Sequence, residues 1–124
     1  MVDVILVDDD KIILKILSKK LKKLGLSVLT YQDSKLGLES IVANKPKVAI
    51  LDLVMPGYSG SDLAIKLSEN LIFQTTTIYL LTASELNEND RIRLHTLGFD
   101  QILKKPFSEA DLIRIKSEHF QKAA

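Results

Sequence analysis

Three acids, a threonine and a lysine stand where chemistry could be done. Asp8, Asp9, Asp52, Thr82 and Lys105 each lie at or just beyond the end of a short apolar run. Carboxylates gathered within a few ångströms raise one another's pKa and cost stability unless a cation offsets them. With oxygen ligands only, and no histidine or cysteine beside them, such a cluster suits Mg²⁺ or Mn²⁺ rather than zinc. Mg²⁺ typically takes one or two carboxylates, keeps waters and adds phosphate oxygens. The chemistry suggested is therefore metal-assisted handling of a phosphoryl group. Lys105 would serve as a point charge for one phosphoryl oxygen, and the Thr82 hydroxyl would donate to another. Each residue alone also has a plainer reading. An acid after a strand often caps a helix, as Asp8 or Asp10 could, Lys105 could be a surface lysine, and Thr82 could simply close a strand. The set has meaning only if the chain brings all five to one rim.

The elements that must do so follow from two alternating periods. Apolar runs at 4–7, 26–31, 48–51, 77–81 and 102–103 are too short for helices and read as strands. Between them, stretches at 10–24, 33–44, 60–71, 87–97 and 108–122 carry apolar residues at helical spacing. Asp33, Ser34 and Ser108 are placed to cap helix N-termini, and Gly25 and Gly98 follow helical patterns where a left-handed residue is expected. Five strand-then-helix repeats predict an α/β fold, a doubly wound parallel sheet with five helices on its two faces. The expected strand order is flavodoxin-like, 2-1-3-4-5. In such a sheet the ligand crevice lies beyond the carboxyl ends of the strands, where all five residues would converge.

Composition narrows the class. A chain of 124 residues is the size of one domain, taken as 1–124, with no visible linker or repeat. Apolar residues at 46% and charged residues at 27% argue against disorder. No apolar stretch approaches the roughly 20 residues of a membrane helix, and the start MVDVILVDDD is too acidic for a secretory signal. The absence of cysteine removes thiolate chemistry and fits a reducing compartment, so a cytoplasmic location is expected. Seventeen basic against sixteen acidic side chains, net +1, give no overall signature of direct nucleic-acid binding, and no membrane partner is expected.

The stretches ILVDDD (5–10), LDLVMPGYSG (51–60), LLTA (80–83) and KKPF (104–107), in this order, resemble the receiver domain of bacterial two-component response regulators. The resemblance spans essentially the whole chain. It implies a cytoplasmic signalling switch in which Asp52 accepts a phosphoryl group from the phosphohistidine of a sensor histidine kinase or a histidine phosphotransfer protein. It also implies that Asp9 and Asp52 ligate Mg²⁺ directly, that Asp8 holds metal-bound water, and that the backbone carbonyl of Val54 completes the set. Lys105 would pair with the phosphoryl group, and the Lys105–Pro106 bond would be cis. Such a domain is not an enzyme on outside substrates, catalysing only its own phosphorylation and dephosphorylation, and is expected as a monomer or weak dimer.

The sequence departs from the family at one switch position. In the family the threonine at the place of Thr82 moves toward the phosphoryl group and an aromatic residue on strand five swings inward. Here that residue is Ile102, which has no ring to rotate and could equally be plain core. Val54 and Ser84 occupy the two positions that tune phosphoryl lifetime in the family. Neither carries an amide or acid to orient an attacking water, and Ser84 also reads as loop filler. The first helix holds Lys11, Lys15, Lys19, Lys20, Lys22 and Lys23 against apolar Ile13, Ile16, Leu17, Leu21 and Leu24. This is a solvated face or a surface that steers an acidic kinase helix. His95 and His119 have no partner at metal-ligand spacing.

Two other functions compete. A degenerate receiver would act as an interaction module without phosphate, a reading that Ile102 keeps open. A haloacid-dehalogenase-like phosphatase also uses a strand-end Asp with Mg²⁺, but needs a second acid two residues on, where this chain has Val54.

Overall fold

The computed structural model describes residues 2–52, 60–82, 86–96, 98–99, 101–105 and 108–120. Five strands, β1 (Val4–Val7), β2 (Val28–Tyr31), β3 (Val48–Asp52), β4 (Thr77–Thr82) and β5 (Gln101–Lys104), alternate with five helices. These are α1 (Lys11–Lys23), α2 (Ser34–Asn44), α3 (Gly60–Glu69), α4 (Glu88–Thr96) and α5 (Glu109–Phe120). All neighbouring strands are parallel and the order is β2-β1-β3-β4-β5, as expected from the alternation of periods. A short 3₁₀ turn at Ile72–Gln74, which the periodicity did not indicate, carries the chain from α3 to β4.

Strand alternation divides the core into two layers. Ile5, Val7, Ala49, Leu51, Ile78 and Leu80 face α2, α3 and α4, meeting Leu38, Ile41, Leu67 and Leu94. Val4, Leu6, Val48, Ile50, Tyr79 and Leu81 face α1 and α5, meeting Leu14, Leu17, Leu21, Leu112 and Ile115. Because β1, β3 and β4 are apolar on both faces, neither face of the central sheet meets water.

The helix ends confirm most of the punctuation. The Asp10 carboxylate accepts from the N–H groups of Ile12 and Ile13 at 2.9 and 3.3 Å, and that of Asp33 from Leu36 at 3.0 Å. Ser108 and Asp111 satisfy each other's N–H groups reciprocally, both at 3.1 Å, so Ser108 is a cap. Gly25 and Gly98 have φ of +88° and +109°. Two expectations fail. Ser34 is the first helical residue and buried, not the cap, because Asp33 already fills that place. On α1 it is Leu14, not Ile16, that enters the core, and Ile16 remains 49% exposed. Leu14, Leu17 and Leu21 recur at three- and four-residue steps, whereas Ile16 falls beside that stripe.

The α2 backbone comes close to the sheet at Gly37. A Cβ there would lie 2.6 Å from Val7 Cγ2 and 2.9 Å from Cγ1. Both are methyls of a stiff β-branched residue buried in β1, so neither can retreat without a shift of α2. Gly37→Ala gains about 1 kcal/mol of helix propensity but overpacks the core by about 1–3 kcal/mol. A net destabilisation, read as a lowered urea midpoint at unchanged m, is the expected result.

A polar pair spans the α5 side of the core. Tyr79 Oη lies 2.7 Å from His119 Nε2 and 3.3 Å from a Glu118 carboxylate oxygen. Burial first, and the Glu118 charge after it, push the Tyr79 phenol up to about 12. Burial likewise pulls His119 below its ordinary 6.5. The folded phenol holds its proton more tightly than the unfolded one, so its contribution is complete below pH 10 and lost as pH climbs through about 12. His119 has the opposite sign, with its contribution complete above pH 6.5 and lost as pH falls. Stability measured by denaturant titration across pH should therefore fall at both limbs. Tyr79→Phe should flatten the alkaline limb and His119→Gln the acid one.

Candidate functional site

The carboxyl edge of the sheet gathers the singled-out residues. Asp8 follows β1, Asp52 is the last residue of β3, Thr82 the last of β4, and Lys105 follows β5. Backbone pairing fixes this convergence. The Asp8 N–H donates to the Tyr31 carbonyl at 3.1 Å, Asp52 is in register with Leu81, and the Lys105 N–H donates to the Thr82 carbonyl at 2.7 Å. Asp8, Asp52 and Thr82 are buried, while Asp9 is exposed at the mouth.

The acids of the 8–10 run divide by role. Asp10 is the α1 cap, and one Asp8 oxygen, Oδ1, accepts from the Asp10 N–H at 2.9 Å and shapes the turn. Asp8, Asp9 and Asp52 each present a carboxylate oxygen, all within 4.8 Å of one another. Among the described residues one cation reaches into this cluster. Lys105 Nζ is 3.0 Å from Asp8 Oδ2 and 3.2 Å from Asp52 Oδ2. Burial pulls the Lys105 ammonium's pKa down, but the hydrogen bonds and charges of Asp8 and then Asp52 outweigh it and hold the group above its ordinary value. Lys105 is thus a fixed positive charge at any physiological pH.

Three carboxylates against one ammonium leave the cluster negative. Among the described residues the buried Asp8 Oδ2 has no partner besides the Lys105 ammonium, 3.0 Å away. An all-oxygen set with such an undersatisfied buried atom fits a hard divalent cation of the Mg²⁺ type.

Val54, Ser84 and Pro106, and with them the backbone carbonyl ligand, the lifetime positions and the geometry of the Lys105–Pro106 bond, lie outside the described residues. Ile102 on β5 pairs with Leu80 on β4 and packs half-buried against the layer formed with α2, α3 and α4. His95 is exposed on α4. One contributor escaped the sequence reading. Gln32, directly after β2, donates from Nε2 to the Asp9 carbonyl at 3.4 Å and tethers the acid at the mouth. Its position at a strand's carboxyl end was the available signal.

A family model described as the response regulator receiver domain matches residues 4–116. Protein PilG of Pseudomonas aeruginosa is 29% identical over 116 residues, which cover 94% of this chain and 85% of that protein. Transcription factor SKN7 of Candida albicans is also 29% identical over 116 residues, but the match covers only 20% of its length. Among solved structures, the chemotaxis protein CheY4 of Vibrio cholerae superposes with a TM-score of 0.84 at 25% identity, covering 97% of this chain and 99% of that one.

Proposed function

The chain belongs to the response regulator receiver domain family, and from that premise we propose that it is a switch phosphorylated on Asp52. A phosphohistidine of a sensor histidine kinase or phosphotransfer protein would be the donor. The observation that carries the reading is the reach of one ammonium, Lys105, to both Asp8 and Asp52, with Asp9 alongside at the sheet's carboxyl edge.

An Asp52 carboxylate oxygen attacks phosphorus. A P–O bond forms, the P–N bond to the donor imidazole breaks, and the electron pair departs with that nitrogen, which then takes a proton from water. A carboxylate needs no deprotonation at neutral pH, so no general base is required. Lys105, already 3.2 Å from Asp52 Oδ2, follows the charge outward and pairs with a phosphoryl oxygen. The Thr82 hydroxyl, held beside it by the Lys105–Thr82 backbone bond, donates to another. Asp9, Asp52 and the Val54 carbonyl would hold Mg²⁺, with Asp8 acting through water, and the ion when bound supplies charge that offsets the phosphoryl oxygens. Positioning and electrostatics therefore carry the transfer.

Incubation with acetyl phosphate and Mg²⁺ tests the proposal. One alkali-labile phosphate per chain, lost when the metal is chelated beforehand, is the expected outcome. Steady hydrolysis of phosphomonoesters without an adduct would favour the phosphatase. Ile102 favours a second reading, a phosphate-independent interaction module, and no labelling under any condition would select it.

A further inference from the structure

A second concavity, of about 780 Å³, runs between α1 and β2. One wall is basic, made by Lys11, Lys15, Lys19, Lys22 and Lys23. Lys11, Lys15, Lys19 and Lys22 recur at steps of four and three residues and so lie in one line along the helix, with Lys23 beside it. None of the five forms an ion pair with an acid among the described residues. The other wall is β2, where Thr30 and then Gln32 line the groove.

That wall is an open edge. Among the described residues β2 is the terminal strand and pairs only with β1. The Ser27 and Tyr31 carbonyls accept from the Val4 and Asp8 N–H groups, so strand alternation turns the N–H and C=O of Val28 and Thr30 outward. The pleat also sorts side chains. Val28 and Thr30 face α1, whereas Tyr31 packs on the opposite layer. A strand laid along this edge would continue the pleat and bring every second side chain up beneath the lysines.

We propose that this groove docks an extended acidic peptide, which adds to β2 as a sixth strand with alternate Asp or Glu side chains facing the lysines. Outward-facing main-chain donors and acceptors at strand spacing complement a polypeptide, and the line of unpaired ammonium groups selects acids. A nucleic acid is the poorer fit, because among the described residues no aromatic side chain lines the groove for base stacking. The groove shares only Gln32 with the phosphoryl site, where it tethers the Asp9 carbonyl, and its lysines take no part in Asp52 chemistry.

The test is fluorescence anisotropy of a labelled peptide of about ten residues with alternating Glu and Val, long enough for one strand, titrated with the full chain. Saturable binding is expected, weakened about tenfold or more in Lys15→Glu/Lys19→Glu. That variant should keep its far-UV circular dichroism and its labelling by acetyl phosphate. N-methylation of one alternating set of peptide amides should abolish binding, while methylation of the other set leaves it, since only one set faces β2. Absence of saturable binding, indifference to the lysine changes, or equal response to the two methylated sets overturns the proposal. So does equal or tighter binding of a thymidine oligonucleotide of the same charge.

Discussion

Asp52→Asn is expected to take up no phosphate from acetyl phosphate and Mg²⁺ under conditions that label the parent chain fully. The amide keeps the shape of the carboxylate but not its nucleophilic oxygen, and it removes one of three clustered negative charges. The fold should survive, because Lys105 retains its ion pair with Asp8 at 3.0 Å and the substitution relieves repulsion among the acids. Metal-free thermal stability should therefore be equal to or above that of the parent. The rise in melting temperature on adding Mg²⁺ should shrink, since a ligand stabilises only in proportion to its affinity for the folded state. Phosphate incorporation by mass spectrometry, alongside paired melting curves, separates these effects. Undiminished labelling in Asp52→Asn would move the acceptor elsewhere.

Lys105→Met should give the opposite pairing of effects. The methionine stem fills much of the lysine's place, but Asp8 and Asp52 lose their shared cation. With Mg²⁺ present, labelling should slow about 100-fold, the scale seen when one preorganised charge is removed from a transition state. Mg²⁺ itself should bind several-fold more tightly, since no ammonium then competes for the same oxygens. Without metal, the unpaired acids should cost about 1–2 kcal/mol, moderated because the lysine is partly solvated. Slower labelling together with tighter metal binding identifies an electrostatic role. Loss of both would indicate a damaged fold instead.

Periodicity made most of the architecture legible, because its signals are local. Runs such as 4–7 and 48–51 are apolar on both faces, as central parallel strands must be. The convergence of Asp8, Asp52, Thr82 and Lys105 needed only the strand order, since each residue ends or follows a strand. What escaped depends on long-range contact. That Gln32 reaches the Asp9 carbonyl, or that His119 meets Tyr79 across 40 positions, is set by how α5 and β2 seat on the sheet. No residue type announces such a pairing. The exchange of Ile16 for Leu14 was closer to hand. Both are apolar and only two positions apart, and the register of a helix against its sheet decides between them.

The bond from the Lys105 N–H to the Thr82 carbonyl bears on how a message could leave the pocket. Among the described residues β5 has one hydrogen-bonding neighbour, whereas β1, β3 and β4 each have two. The acids and the threonine are thus anchored in the stiff middle of the sheet, and the lysine rides on its outermost ribbon. An event that draws the ammonium away from the carboxylates spends its force on the strand that is easiest to displace. The interior need not rearrange for the outer surface to register what has arrived.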